Sequence, residues 1–142
     1  MILVDTSVLV DFFKGTKNDP VLCFTDIIKK KIPFGIASVI YQELLQGAKT
    51  KKEYMLLNEY LSCQHFFHPK DMVASYEKAA MIYFVCRKKG ITVRSTIDCL
   101  IAQIAIEHDL FLLHNDKDFE QMAPIIGLEL YPPLPLTGNL NL

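Results

Sequence analysis

The chain lacks the features that mark membrane, secreted and metal-stapled proteins. It has no apolar run near the ~18 residues that span a bilayer, and its apolar start, MILVDTSVLV, carries Asp5 and no basic segment. Such a start is not a signal peptide. The four cysteines include no C-x-x-C pair and no metal-site spacing with the histidines. We therefore expect reduced thiols, a cytoplasmic location and no contact with a membrane.

The sequence also lacks an excess of charge of either sign. Its 15 basic and 16 acidic residues give a net charge of −1, which excludes a polycation that binds nucleic acid over its whole surface. Hydrophobic residues make up 51% of the chain and charged residues 22%, a composition that excludes a disordered protein. A chain of 142 residues is of ordinary size for one domain.

Short apolar segments alternate with amphipathic segments, and this alternation predicts an α/β fold. We expect strands at 2–4, 33–37, 64–67, 110–113 and 128–130, the last at an edge, and helices at 6–15, 20–30, 39–46, 50–61, 71–89, 97–108 and near Phe119. Together they predict a single three-layer domain over residues 1–131, with a short central parallel sheet and helices on both faces. Residues 132–142 are expected to form a loose tail.

Acidic residues stand at the ends of the predicted strands and at the starts of predicted helices. Asp5 follows the first strand, and Asp116 follows the strand at 110–113, with Asp118 two residues later. Glu43 and Asp98 lie near helix N-termini. Because strand C-termini and helix N-termini meet at one edge of a parallel sheet, we expect these acids to line one cleft.

Crowded carboxylates repel one another and are costly to bury unless a cation joins them. A hard divalent ion with oxygen ligands, Mg²⁺ or Mn²⁺, suits such a group. It can activate water for attack at phosphorus, so the residues favour metal-dependent phosphodiester chemistry. Taken singly, each acid also has an ordinary interpretation as a helix cap, a solvated helix residue, a dipole complement or a turn residue.

Four segments resemble motifs of the PIN-domain ribonucleases, and most closely those of VapC-type toxins. They are ILVDTSVLVDFF, SVIYQELLQGA, RSTIDCLIAQIAI and LLHNDKDFEQMA, in the family's order over nearly the whole chain. The resemblance implies a metal-dependent endoribonuclease, the toxin of a type II toxin–antitoxin pair, that cleaves structured RNA such as a tRNA or ribosomal RNA loop. It also implies products with 5′-phosphate and 3′-hydroxyl ends and a small antitoxin partner. We also expect a homodimer, because an excess of aromatic and methionine side chains in residues 50–61 and 71–89 would suit such a contact.

The acidic site of that family corresponds to particular residues of this chain. The resemblance implies that Asp5, Glu43, Asp98 and Asp116 are catalytic. It implies that three of these, Asp5, Asp98 and Asp116, bind the metal together with Asp118, which matches a second acid often found in the last motif.

Three further residues are expected to serve the substrate or the acids. Thr6 or Ser7 matches a small hydroxyl residue that holds the first carboxylate or a bound water. Arg94 stands just before the motif that contains Asp98. It is expected either to contact a phosphate of the substrate or to pair with a carboxylate.

Other functions remain open from the sequence. A phosphoacceptor signalling domain shares a doubly wound acidic pocket, but it needs paired acids after the first strand, where Asp5 stands alone. A haloacid-type phosphotransferase needs D-x-D at that position, where this chain has DTS. A catalytically weak RNA-binding or repressor protein of the same fold is compatible with the motifs.

Overall fold

The computed structural model describes residues 1–132. This part of the chain forms four strands and seven helices: β1 (Ile2–Val4), α1 (Thr6–Lys14), α2 (Asp19–Lys29), β2 (Phe34–Ala37), α3 (Ser38–Gln46), α4 (Lys51–Leu61), β3 (His65–Phe67), α5 (Ala74–Lys88), α6 (Thr96–Glu107), β4 (Phe111–Leu113) and α7 (Lys117–Ile126). The predicted tail lies outside the described residues except for Pro132, so the domain boundary at 131 stays a prediction.

All four strands are parallel and lie in the order β3-β2-β1-β4. The chain fills the sheet from β1 to β3 in one direction and then returns to place β4 on the other side of β1. The strand order therefore reverses between β1 and β4. In open parallel sheets, ligands bind beyond the carboxyl ends of the strands at such a switch point. Here that place lies just past Val4 and Leu113.

The helices form two groups that confirm the predicted three-layer arrangement. The first group consists of α1 to α4, in which α1 contacts α2 and α3, and α3 contacts α4. The second consists of α5, α6 and α7, which contact one another. Every residue of α6 from Cys99 to Ala105 is buried, so this helix is part of the core. A residue in its first turn, such as Asp98, is held on a rigid element.

Most predicted boundaries differ from the structure by one residue, and two predicted elements differ by more. The helix expected from residue 71 begins at Ala74, because the Asp71 carboxylate accepts hydrogen bonds from the N–H groups of Val73 and Ala74 and ends the preceding loop. The edge strand expected at 128–130 is only a single parallel bridge between Leu112 and Leu130. Its apolar residues pack onto the edge of β4 without extending the ladder.

The structure agrees with what the sequence indicates about thiols. All four cysteines are free, and Cys86 and Cys99 are buried among apolar side chains. Among residues 1–132, no helix has both the length and the apolar character of a membrane-spanning segment.

Candidate active site

Three of the five predicted acids come together at the carboxyl edge of the sheet. Carboxylate oxygens of Asp98, Asp116 and Asp118 all lie within 4.8 Å of one another. Asp98 lies in the first turn of α6, Asp116 is the N-cap of α7, and Asp118 lies in the first turn of α7. The Asp116 carboxylate accepts a 2.9 Å hydrogen bond from the backbone N–H of Asp118. We refer to these three residues as the acidic triad.

Asp5 stands beside the triad, directly after β1. It is the N-cap of α1 and only 4% exposed, and its Oδ2 accepts hydrogen bonds from the Ser7 backbone N–H at 3.0 Å and the Ser7 hydroxyl at 2.6 Å. Burial raises the pKa of Asp5, and the hydrogen bonds from Ser7 partly oppose this rise. The capping role and the role in an acidic cleft therefore coexist in one residue.

Glu43 reaches the same cleft from α3. Its Oε1 accepts a 3.1 Å hydrogen bond from the Thr6 hydroxyl. Burial raises the pKa of Glu43, the hydrogen bond from Thr6 lowers it, and the charge of Asp5 raises it further. Thr6 thus holds Glu43, and Ser7 holds Asp5. The sequence could not assign the two hydroxyl residues to these carboxylates, because they are adjacent.

Asp98 shows that all five acids share one electrostatic environment. Its pKa is raised to about 7, first by burial and then by the charges of Asp5, Asp116, Asp118 and Glu43. Asp5 and Glu43 lie outside the 4.8 Å group formed by the triad. They are nevertheless close enough for their charges to act on Asp98.

The chemistry of these donors fits a divalent cation. Within the described residues, Asp98 accepts no side-chain hydrogen bond, and Asp116, Asp118 and Glu43 each accept hydrogen bonds through one oxygen only. No buried side-chain oxygen in this range lacks a hydrogen-bond partner, so the remaining oxygens of these carboxylates are accessible to solvent. Anionic oxygens open to water are the ligands that Mg²⁺ and Mn²⁺ prefer.

Arg94 lies over two members of the triad. Its Nε is 3.3 Å from Asp118 Oδ2, and a terminal guanidinium nitrogen is 3.4 Å from Asp116 Oδ1. The backbone N–H of Arg94 also donates to Asp118 Oδ2 at 3.2 Å. Of the two roles that the sequence left open for Arg94, the structure shows the pairing with carboxylates.

The sequence did not single out Asn115 as part of the site. The backbone N–H of Asn115 donates to the Ser7 hydroxyl at 2.9 Å, and its side chain donates to Asp11 at 3.3 Å. These bonds join the turn after β4 to α1 across the switch point. The preceding His114 supports this turn: its Nδ1 accepts a 3.0 Å hydrogen bond from the Asp116 N–H, and burial lowers the pKa of His114.

Comparisons with known proteins agree with this geometry. A family model described as the PIN domain matches residues 2–124, and the chain therefore belongs to the PIN-domain family. Two relatives are the VapC ribonuclease Mb1587 of Mycobacterium bovis and ribonuclease VapC11 of Mycobacterium tuberculosis. Each is 32% identical over 130 residues, which cover 91% of this chain and 96% of the relative. Within the family, the similarity is thus to VapC ribonucleases.

A solved structure has the same fold at lower identity. It is that of VapBC2 from Rickettsia felis bound to a DNA fragment from its promoter. The two chains have a TM-score of 0.69 and are 21% identical, and the match covers 92% of this chain and 97% of the other. At this identity the likeness supports the fold of the chain.

Proposed function

We propose that this protein is a metal-dependent endoribonuclease and the toxin of a type II toxin–antitoxin pair. The observation that carries the proposal is the acidic triad beside Asp5 and Glu43, at the switch point of a PIN-domain sheet. The alternative of a phosphoacceptor domain is disfavoured because such domains have the strand order 2-1-3-4-5, which differs from the order found here.

In the proposed mechanism, Asp5, Asp98, Asp116 and Asp118 would hold Mg²⁺ or Mn²⁺. A divalent ion held there would supply an activated water and would stabilise the negative charge that develops at phosphorus. Water attacks the phosphorus, and the bond from phosphorus to the 3′ oxygen breaks. The products carry a 5′-phosphate and a 3′-hydroxyl group.

Residues of α1 position two of the catalytic carboxylates. Ser7 fixes Asp5, and Thr6 holds Oε1 of Glu43 so that Oε2 is left to accept a proton from the attacking water. The pKa of Glu43 is raised, which brings it nearer to neutral pH, where a general base works best. We therefore assign catalytic roles to Asp5, Glu43, Asp98 and Asp116.

We propose that the substrate is a single-stranded loop of a structured RNA, such as a tRNA or ribosomal RNA. Because the protein has a net charge of −1, its affinity for RNA depends on a few cationic side chains near the cleft. Arg94 is at the triad, and Arg87 to Lys89 lie where the C-terminus of α5 turns towards the N-terminus of α6. Unstacked nucleotides can enter such a cleft, and helices cannot. Such a substrate places the activity in the cytoplasm.

The direct experiment is to incubate the purified protein with total RNA and Mn²⁺ or Mg²⁺ and to map the new 5′ ends. One or a few discrete cuts in stable RNAs are expected, and chelation of the metal or the substitution Asp116→Asn should abolish them. Binding of RNA without any cut would instead favour the RNA-binding or repressor alternative. Uniform degradation of unstructured RNA would contradict the proposed substrate.

Exposed apolar side chains offer surfaces for the proposed antitoxin and for a second copy of the chain. One group lies on α4 and α1, where Phe13 packs edge-on against Tyr60 at 5.4 Å, and Met55 is exposed on α4 as well. Another lies on α5 and includes Met81 and Phe84. Apolar clusters of this kind mark protein contacts more often than isolated surface residues do.

The toxin hypothesis has its own test in cells. Induction of the wild-type chain alone is expected to arrest growth, and co-expression of the antitoxin should restore it. Induction of Asp98→Asn should leave growth unaffected. Normal growth with the wild-type chain, when nuclease activity is present in the lysate, would contradict the toxin role while leaving the nuclease assignment intact.

A further inference from the structure

Arg94 occupies the carboxylates that would have to bind the metal. Its guanidinium spans Asp116 Oδ1 and Asp118 Oδ2 at 3.4 and 3.3 Å, and its side chain is 74% exposed while those of Asp116 and Asp118 are 28% and 9% exposed. The guanidinium therefore covers two triad carboxylates from the solvent side. In this position it neutralises part of their charge within the chain itself.

The contacts of Arg94 are those of a cation that can leave. Distances of 3.3–3.4 Å are longer than the 2.7–2.9 Å of tight charge-assisted hydrogen bonds. An exposed arginine is also well solvated when released, so each such ion pair contributes little stabilisation. In contrast, the backbone N–H of Arg94 donates to Asp118 independently of its side chain, and this bond keeps Asp118 in place when the guanidinium moves.

A divalent cation at the triad and a guanidinium on the same carboxylates repel each other. The two cations therefore compete for Asp116 and Asp118. A guanidinium displaced from these residues stays tethered beside the cleft, where a planar fork of donors matches a phosphate group.

We propose that Arg94 is an exchangeable counter-ion of the acidic triad, displaced by the metal and thereby made available to a phosphate of the RNA. The inference rests on the proposed function, since it needs a metal at the triad and an RNA in the cleft. Arg94 then couples the two ligands: metal binding frees an RNA contact, and by thermodynamic reciprocity RNA strengthens metal binding by the same factor.

Two variants separate this role from a general charge effect. Arg94→Gln removes the guanidinium from the triad. Lys30→Gln removes the same charge from an exposed ion pair with Asp26, 2.9 Å long, at the C-terminus of α2 and away from the carboxyl edge of the sheet. Both side chains are mostly exposed, and thermal melting checks that both variants fold.

The first readout is the affinity for Mn²⁺ without RNA, measured from the electron paramagnetic resonance signal of free Mn²⁺. Arg94→Gln is expected to bind Mn²⁺ about two- to fivefold more tightly than the wild type, the range that corresponds to an exposed ion pair. Lys30→Gln should match the wild type. Equal or weaker Mn²⁺ binding by Arg94→Gln would overturn the inference.

The second readout is the affinity for a short labelled single-stranded RNA, measured in chelator and in Ca²⁺ as a probe ion for oxygen ligands. Arg94→Gln should bind RNA as the wild type does in chelator and about two- to fivefold more weakly in Ca²⁺. The same loss in both conditions would show a permanently free RNA contact and overturn the coupling. Discrete cleavage by the wild type with Mn²⁺ would still support the proposed nuclease, so the two failures are distinguishable.

Discussion

The Ser7 hydroxyl donates a 2.6 Å hydrogen bond to Asp5 and accepts a 2.9 Å hydrogen bond from the Asn115 N–H. Asp5 follows β1 and Asn115 follows β4, so this one hydroxyl connects the two strand ends that border the switch point. The position of the first carboxylate therefore depends on a neighbouring residue that carries no charge.

Replacement of this hydroxyl should impair catalysis without unfolding the protein. We expect Ser7→Ala to lower the rate of metal-dependent RNA cleavage by about 10–100-fold, as is usual when a partner that orients a metal ligand is lost. Ser62→Ala is the matched control, because Ser62 is an exposed C-cap residue of α4. An initial-rate assay at equal Mn²⁺ compares them, and a wild-type rate for Ser7→Ala would contradict the role given to this bond.

The crowding of the acids predicts how the stability of the metal-free protein depends on pH. The pKa of Asp98 is 3.8 in an ordinary setting and about 7 in the folded protein, so folding favours the protonated form. The contribution of this group to stability is complete below pH 3.8 and is lost as the pH rises through about 7. Above that pH, Asp98→Asn should be the more stable protein in chelator, by about 1–2 kcal/mol after allowance for solvent screening.

Urea denaturation in chelator at acid and at alkaline pH measures this difference. The difference in free energy of unfolding between the wild type and Asp98→Asn should be larger at pH 8 than at pH 4. Added Mn²⁺ should stabilise only the wild type. A difference that does not change with pH would mean that Asp98 does not feel the neighbouring carboxylates.

The close approach of β2 and β3 predicts a cost for any side chain at Gly35. A Cβ atom there would lie 2.6 Å from the His65 carbonyl oxygen and 2.6 Å from the Phe67 ring. Gly35→Ala should therefore lower the free energy of unfolding by about 1–3 kcal/mol, as overpacking usually does. Gly47→Ala is the control, because its Cβ would meet only ordinary contacts; it should leave stability unchanged or raise it by about 0.4–1 kcal/mol.

A polar cluster at the far end of α6 should affect stability alone. Glu107 accepts hydrogen bonds from the Lys70 N–H, the buried Ser75 hydroxyl and the buried Gln103 amide. Burial alone would raise the pKa of Glu107, but these hydrogen bonds together lower it. Glu107→Ala should lower the free energy of unfolding at pH 7 by about 1–3 kcal/mol, because the Ser75 O–H and the Gln103 amide N–H lose their acceptor.

This loss should shrink as the pH falls through the lowered pKa of Glu107, where its carboxylate is protonated in the wild type as well. Glu59→Ala, at an exposed position on α4, is the control. Glu107 is about 14 Å along α6 from Asp98 by helix rise. The cleavage rate per folded molecule should therefore stay at the wild-type value, and a large fall in that rate would show that the cluster also shapes the site.

The sequence was informative where chain direction and periodicity decide the structure. Asp5 and Asp116 were found because they follow apolar strands, and Asp98 because it begins an apolar helix. The partners of these acids could not be found in that way. Whether Thr6 or Ser7 holds a given carboxylate depends on χ angles and on the distance between α1 and α3, neither of which follows from spacing.

Asn115 was missed for a related reason. Its principal bond to the site is made by a backbone N–H, which every residue except proline carries, so the residue type gives no signal. The start of α5 was misplaced because apolar periodicity continues through the loop that Asp71 closes. Only the tertiary position of that loop shows where the helix begins.

The most direct measurement compares cleavage of one RNA by the wild type, Asp98→Asn and Asp109→Asn at equal Mn²⁺. Asp109 is exposed in the turn before β4, at the opposite edge of the sheet, and its φ of 54° suits asparagine. The proposed mechanism predicts a wild-type rate for Asp109→Asn and no metal-dependent cleavage by Asp98→Asn. Cleavage by folded Asp98→Asn at the wild-type rate would contradict the assignment of the acidic triad as the catalytic metal site.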